Sequence, residues 1–244
     1  MCKFFSSIVT RQGEVLYNQF IDSHETLVQI FKLRDDKPMN YFVRCEFYPQ
    51  DDNDMGDADK YELRVDENFI PEWFEEFREN VTNKMRTIIK NMIVTGDRDC
   101  LIGGAYILKD AEVGFLNYCR IVWVSNSTVN KMWGNSTVNE MWGNSTVNEM
   151  WGNSTVNEMW GNSTVKEMWD NSTVKEMWGN STVKEMWGNS TVNEMWGNST
   201  VKKMWGNSTV KKMWDNSTVN KMWDNSTVNK MWDNSTVKND EREK

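Results

Sequence analysis

The 244-residue chain has one histidine, four cysteines and three prolines. It also lacks any apolar run approaching the roughly 20 residues of a membrane-spanning helix, so no membrane span is expected. His24 is the only imidazole, so a Cys–His or Ser–His–Asp site could be built only around it, and no motif surrounds it. Its place in the first turn of a predicted helix points to the surface. Cys2, Cys45, Cys100 and Cys119 form no C-x-x-C pair and are too sparse for a disulfide scaffold, so reduced thiols are expected. The opening Met1 to Arg11 breaks too early for a signal-peptide apolar segment, which points to a cytosolic start. Positive charge is in deficit: the net charge is −8, and no basic stripe is present of the kind a nucleic-acid binder uses to release counterions. Gly103-Gly104 lacks the spacing of a phosphate loop. These absences weigh against an enzyme, and no cofactor is expected.

What the chain has in excess is Trp (14) and Met (17), and both belong to one short unit. From Asn126 to Asp233 the nonapeptide Asn-Ser-Thr-Val-x-x-Met-Trp-Gly/Asp recurs twelve times, followed by a partial copy, 234–237, and a polar tail, 238–244. A fixed period with near-identical copies marks a solenoid, in which each unit buries its apolar side only against its neighbours. Thr and Val favour strands, while Asn-Ser and Gly/Asp-Asn favour turns. The reading is therefore mainly β: a β-solenoid with two nonapeptides per 18-residue coil, so that twelve repeats make six coils ~29 Å long.

Alternation along the strand sets which side chains face inward. Val goes in, with Ser near the corner, and Thr faces out. Met fills narrow cores readily, whereas twelve indoles would overpack one, so Met is placed inside and Trp outside. The core is then the stack of Val129, Met132, Val138, Met141 and their equivalents, with amide ladders of Asn126, Asn135 and Asn144 at the corners. At the sixth repeat position one column reads Lys131, Glu149, Glu167, Glu185, Lys203, Lys221, and the other Glu140, Glu158, Glu176, Glu194, Lys212, Lys230. This acidic middle and basic distal end read as a solvated face drifting after duplication, or else as a polarised binding surface.

The first 106 residues read as a small α+β head and cap, with strands at 4–9, 15–18, 41–48 and 61–65. A helix start at Asp22-Ser23-His24-Glu25 runs through Lys32, and a long amphipathic helix runs from Pro71 to about Asn91. Residues 107–125 read as a degenerate coil that, with the long helix, seeds the regular array. One loop, residues 51–62, places Asp51, Asn53, Asp57, Asp59 and Glu62 at the oxygen positions of a calcium loop, with Gly56 at the turn. Met55 occupies a ligand position and the flanks are strands, so an acidic hairpin loop is the stronger reading. The repeats lack the Gly-Gly-x-Gly-x-Asp pattern of calcium-binding nonapeptide rolls, and no calcium is expected there. Their Asn-Ser-Thr sequons read as turn and strand chemistry.

Gly134-Asn135-Ser136-Thr137-Val138 resembles the short Gly-Asn-Ala-x-Val units of bacterial and bacteriophage β-solenoid proteins, with Ser in place of Ala. Met1-Cys2-Lys3-Phe4-Phe5 and Ile93-Val94-Thr95-Gly96-Asp97-Arg98 resemble the heads of uncharacterised phage proteins. The resemblance implies a phage or prophage context, the bacterial cytoplasm or a virion surface as setting, and no catalytic residues. The leading expectation is a non-enzymatic scaffold or binding module. It would present Trp133, Trp142, Trp151, Trp160, Trp169, Trp178, Trp187, Trp196, Trp205, Trp214, Trp223 and Trp232, with the Thr128, Thr137 and Thr146 row, to a protein or glycan. An end-to-end or face-to-face homo-oligomer is a further partner reading. Ice binding by the Thr array, and a metal-dependent sensor or enzyme in the head, are the alternatives.

Overall fold

The computed structural model describes residues 5–34 and 41–242. The chain is mainly β, with a parallel β-solenoid of about 8 turns after a small α+β region, and it divides into two compact units between Ile93 and Val94.

In the first unit, β1 (Phe5–Thr10), β2 (Val15–Leu16), β3 (Phe42–Pro49) and β4 (Tyr61–Val65) form an antiparallel sheet in the order β2-β1-β3-β4. The β1–β2 turn needs Gly13 twice over: its φ is +76°, and a Cβ there would lie 2.5 Å from the Phe77 ring. Helix α1 (His24–Ile30) is capped by Ser23, whose Oγ accepts from the Thr26 N–H, so the cap is one residue later than the sequence reading. It stops at Ile30, short of Lys32, which takes a left-handed backbone with φ 53°. Helix α2 (Glu72–Met92) buries Phe74, Val81, Met85, Ile89 and Met92 at helical spacing.

His24 departs from expectation. It is 5% exposed rather than a surface residue, because its Nε2 faces the Cys45 carbonyl at 3.1 Å and its Nδ1 faces Asp66 Oδ2 at 3.2 Å. Tertiary partners from β3 and from the residue after β4 draw the ring in, which the local helix-start pattern does not encode. Cys45, Cys100 and Cys119 are free thiols; burial pushes the Cys45 thiol up to about 12 and raises that of Cys119, which keeps both protonated.

The second unit begins at Val94, ahead of residue 107 where the repeat-like pattern first becomes readable. Strand β5 (Ile93–Ile102) pairs with β6 (Ala105–Asn117), and its Val94 and Leu101 join the solenoid core. The two strands approach so closely that a Cβ on Gly114 would sit 2.5 Å from the Asp99 carbonyl oxygen. Strand β6 rounds a corner at Asp110 (φ 48°): Ala105–Lys109 pairs with β7 (Arg120–Ser125), and Glu112–Asn117 pairs with β8 (Thr128–Trp133). Val113 pairs with Val129 and Ile121 with Val138, so this first coil is shorter than those above it.

After β8 and β9 (Thr137–Trp142), strands β10 to β19 each run from the Thr to the Met of a repeat, Thr146–Met150 through Thr227–Met231. Alternate strands pair in parallel and in register, as in Thr128↔Thr146↔Thr164, so two nonapeptides do close one coil. Val129 to Val219 and Met132 to Met222 are fully or almost fully buried at every repeat. Val and Met lie three apart yet both face inward, which strict alternation forbids. The ladder resolves this by passing over the fifth position (Val147↔Val165 is followed by Glu149↔Glu167), so the fifth and sixth residues both face outward.

The corners explain the Gly/Asp choice. Gly134 has φ 65° and Asp170 φ 57°, the left-handed region that Gly and Asp tolerate. Asp215 adds a contact, its Oδ2 accepting from the Gly197 N–H one coil below at 2.9 Å. The expected amide ladder is present: Asn189 Nδ2 donates to Asn171 Oδ1 at 3.3 Å, and Asn207 to Asn189 at 3.3 Å. A second ladder, at the fifth position, joins Asn148 to Asn130 at 2.6 Å. Ser is buried at the corner of each of the twelve full repeats, Ser127 to Ser226, and in the middle coils its Oγ has no hydrogen-bond partner.

At the far end β20 (Thr236–Asp240) extends the array through Lys238–Asp240, which the sequence reading left in the polar tail, and Asp240 lies beside Met222. Arg242 pairs with Asp240 and donates to the Ser226 carbonyl, while Met231 in the last coil is 41% exposed.

Candidate functional site

In-register strands place identical side chains one strand spacing apart, ~4.8 Å. The twelve indoles therefore form two continuous stacks outside the core. One runs through Trp133, Trp151, Trp169, Trp187, Trp205 and Trp223, the other through Trp142, Trp160, Trp178, Trp196, Trp214 and Trp232. Neighbouring rings are nearly parallel; the middle step of the first stack, Trp169–Trp187, has centroids 5.2 Å apart at 6°. This offset geometry suits the ring quadrupole. Only Trp133 and Trp232, at opposite ends, exceed 40% exposure. The rest are half-buried, because each ring face is covered by the next ring. What the stacks offer to solvent is their edges.

The sixth-position columns are tied to these rings. From Trp142 to Trp178 each indole N–H donates to the Glu two residues earlier: Trp142 to Glu140 and Trp151 to Glu149 at 2.9 Å, Trp169 to Glu167 at 3.1 Å. The Trp151 N–H, helped by Lys131, holds the Glu149 carboxyl below its ordinary range. In the upper coils lysine replaces Glu and lies over the ring instead: Lys203 Nζ is 5.5 Å from the Trp205 centroid, and Lys212 is 5.6 Å from Trp214.

The change happens at one level on both faces. Glu185 turns to Lys203 (3.1 Å) and Glu194 to Lys212 (2.9 Å), leaving the buried indole N–H groups of Trp187 and Trp196 without a partner. At those steps the rings close to 4.0 Å. The sequence shows the Glu-to-Lys change; only the fold reveals that it reorganises the stack.

Thr128, Thr137 and Thr146 face outward as a single row per face, half-buried. Their equivalents turn back to the corner, as Thr173 Oγ1 does toward the Asn171 carbonyl (3.5 Å), and Thr209 and Thr227 meet at 3.1 Å.

The acidic loop folds as two short 3-10 turns, and its side chains do not converge. Asp51 accepts from Asn53 N and Nδ2, both at 2.8 Å, and Asp57 accepts from Asp59 N. Asp59 pairs with Lys90 at 2.9 Å, Lys60 pairs with Asp54, and Glu62 accepts from Gln50. Met55 and Ala58 are buried under the loop, and the Tyr61 hydroxyl donates to the Met55 carbonyl. The carboxylates thus cap and anchor a hairpin loop. Among the described residues the one group with three ligand atoms close together is elsewhere: His24, Glu46 and Asp66. Their separation in sequence hid it, since each comes from a different element.

Among the described residues no helix is long and apolar enough to cross a membrane. No protein-family model, no curated protein and no solved structure matches the chain.

Proposed function

We propose that the chain is a non-enzymatic scaffold or binding module whose solenoid offers its indole edges, with the flanking Glu and Lys columns, to a protein partner. The observation that carries this reading is the pair of unbroken Trp stacks on the outside of the array. Neither stack is needed to fill the core, which Val and Met already close. A glycan would seek the exposed face of a ring, and here ring faces are taken by neighbouring rings; an edge flanked by an acidic block and then a basic one suits a protein surface better. A bacterial or phage setting rests on the Gly-Asn-Ser-Thr-Val resemblance alone.

Immobilised full-length protein, its Trp151→Ala/Trp169→Ala variant and a glycan panel provide the test. The expected result is one or more bacterial proteins retained by the wild type, released by salt and lost in the variant. Retention of a glycan with no protein would overturn the choice of partner. No retention of either would overturn the binding module, and measurable thermal hysteresis would favour the Thr rows and ice.

A further inference from the structure

We infer that His24, Glu46 and Asp66 in the first unit form a binding site for a divalent transition-metal ion of the zinc class. His24 opens α1, Glu46 lies in the middle of β3 and Asp66 follows β4, so three elements distant in sequence bring one ligand atom each to within 4.8 Å of the others. Tetrahedral zinc with one nitrogen and two oxygen ligands sets its ligands about 3.3–3.5 Å apart. The His24 Nδ1 to Asp66 Oδ2 distance of 3.2 Å is already near that spacing.

The imidazole carries the argument. A carbonyl oxygen only accepts, so the 3.1 Å contact between Nε2 and the Cys45 carbonyl places the N–H on Nε2. Nδ1 is then left with a lone pair aimed at a carboxylate oxygen, and two lone pairs repel unless positive charge lies between them. A second ring proton would satisfy Asp66 alone. It would leave the Glu46 carboxylate, which has no side-chain hydrogen bond or ion pair among the described residues, beside another carboxylate. A divalent ion neutralises both acids at once and accepts the Nδ1 lone pair. The Nε2–H to backbone-carbonyl bond is the usual outer contact that fixes the orientation of a metal-binding histidine. One imidazole nitrogen with two carboxylates selects zinc, cobalt or manganese over calcium, which takes oxygen ligands only. Asp66, 59% exposed, leaves a path for the ion and room for water in the remaining coordination position.

The chain's single histidine makes the test unambiguous. Chelator-treated full-length protein carrying Cys100→Ser, which removes the exposed thiol among the described residues, and Cys2→Ser, a position outside them, is titrated with Zn²⁺ by calorimetry and by nitrogen-15 NMR of the imidazole. One equivalent is expected to bind, moving the Nδ1 resonance while the Nε2–H signal persists. Asp66→Asn and Glu46→Gln should each weaken binding ~10-fold or more. Zn²⁺ should raise the melting temperature of the parent and not of Asp66→Asn, a partly exposed site whose folding is checked by circular dichroism. Binding equal in the parent and both variants, an imidazole that does not respond to Zn²⁺, no saturable heat, or a response to Ca²⁺ alone would each overturn the site.

Discussion

In the first unit Ser7 reaches Met85 across 78 residues and Cys45 across 38, and each contact is unlike every other. In the second, Asn ladders, Lys–Glu pairs and Asp corner contacts alike join residues 18 apart, and each contact recurs. The head is specified by unique long-range pairings, the solenoid by repetition of one. Damage should follow the same division: a lesion in the head is felt by the whole of that unit, whereas a lesion in the array is shared with neighbouring coils or isolated at the end.

The largest effect should come from placing charge in the array. Met168→Lys puts an unpaired ammonium into a fully buried position, at a cost of several kcal/mol. Proteolysis is expected to open the coils around residue 168 while the head resists; a uniform loss of both units would break the division. Phe74→Ala empties a fully buried site under α2 and should cost the head ~3–5 kcal/mol. A separate, earlier head transition in calorimetry would report it, with the solenoid transition unmoved.

Smaller effects sharpen the contrast within the solenoid itself. Trp169→Ala removes two stacking partners and Trp232→Ala one, at ~0.5–1.5 kcal/mol per stack. The central variant should therefore lose about twice as much stability and more of the exciton signal in circular dichroism. The smallest effect is acidic. Because the Trp151 N–H and Lys131 hold the folded-state Glu149 below the ordinary carboxylate range, their contribution is complete above that range. It is lost as the pH falls through the lowered value, and Glu149→Gln should flatten this part of the acid-unfolding curve.

The same division decides what could be read in advance. Val, Met and Trp each occupy one position of a nine-residue unit, so side-chain volume and flexibility sufficed to put Val and Met inside and Trp outside, although strict alternation would have separated Val from Met. The polarity of the fifth and sixth residues marked both as solvated, and both do face outward; what was not legible is the break in alternation between them that turns Val and Met to the same side. Strand β5 was missed because Ile93 to Ile102 lacks the repeat's spacing and is held by pairing with β6. His24 was misplaced because helix-start chemistry is local, while its burial depends on Cys45 and Asp66. The calcium-loop spacing matched, but spacing says nothing about whether carboxylates turn toward a common point or toward Lys60 and Lys90.

Two nonapeptides per turn make the parity of the copy number a geometric variable. Gain or loss of a pair lengthens or shortens the stack while the C-terminus leaves from the side it occupies now. An odd change instead rotates the exit by half a revolution and exchanges the two sides from the altered level onward. A lineage that expands or contracts this array would have to do so in steps of eighteen residues to preserve which side its last coil presents.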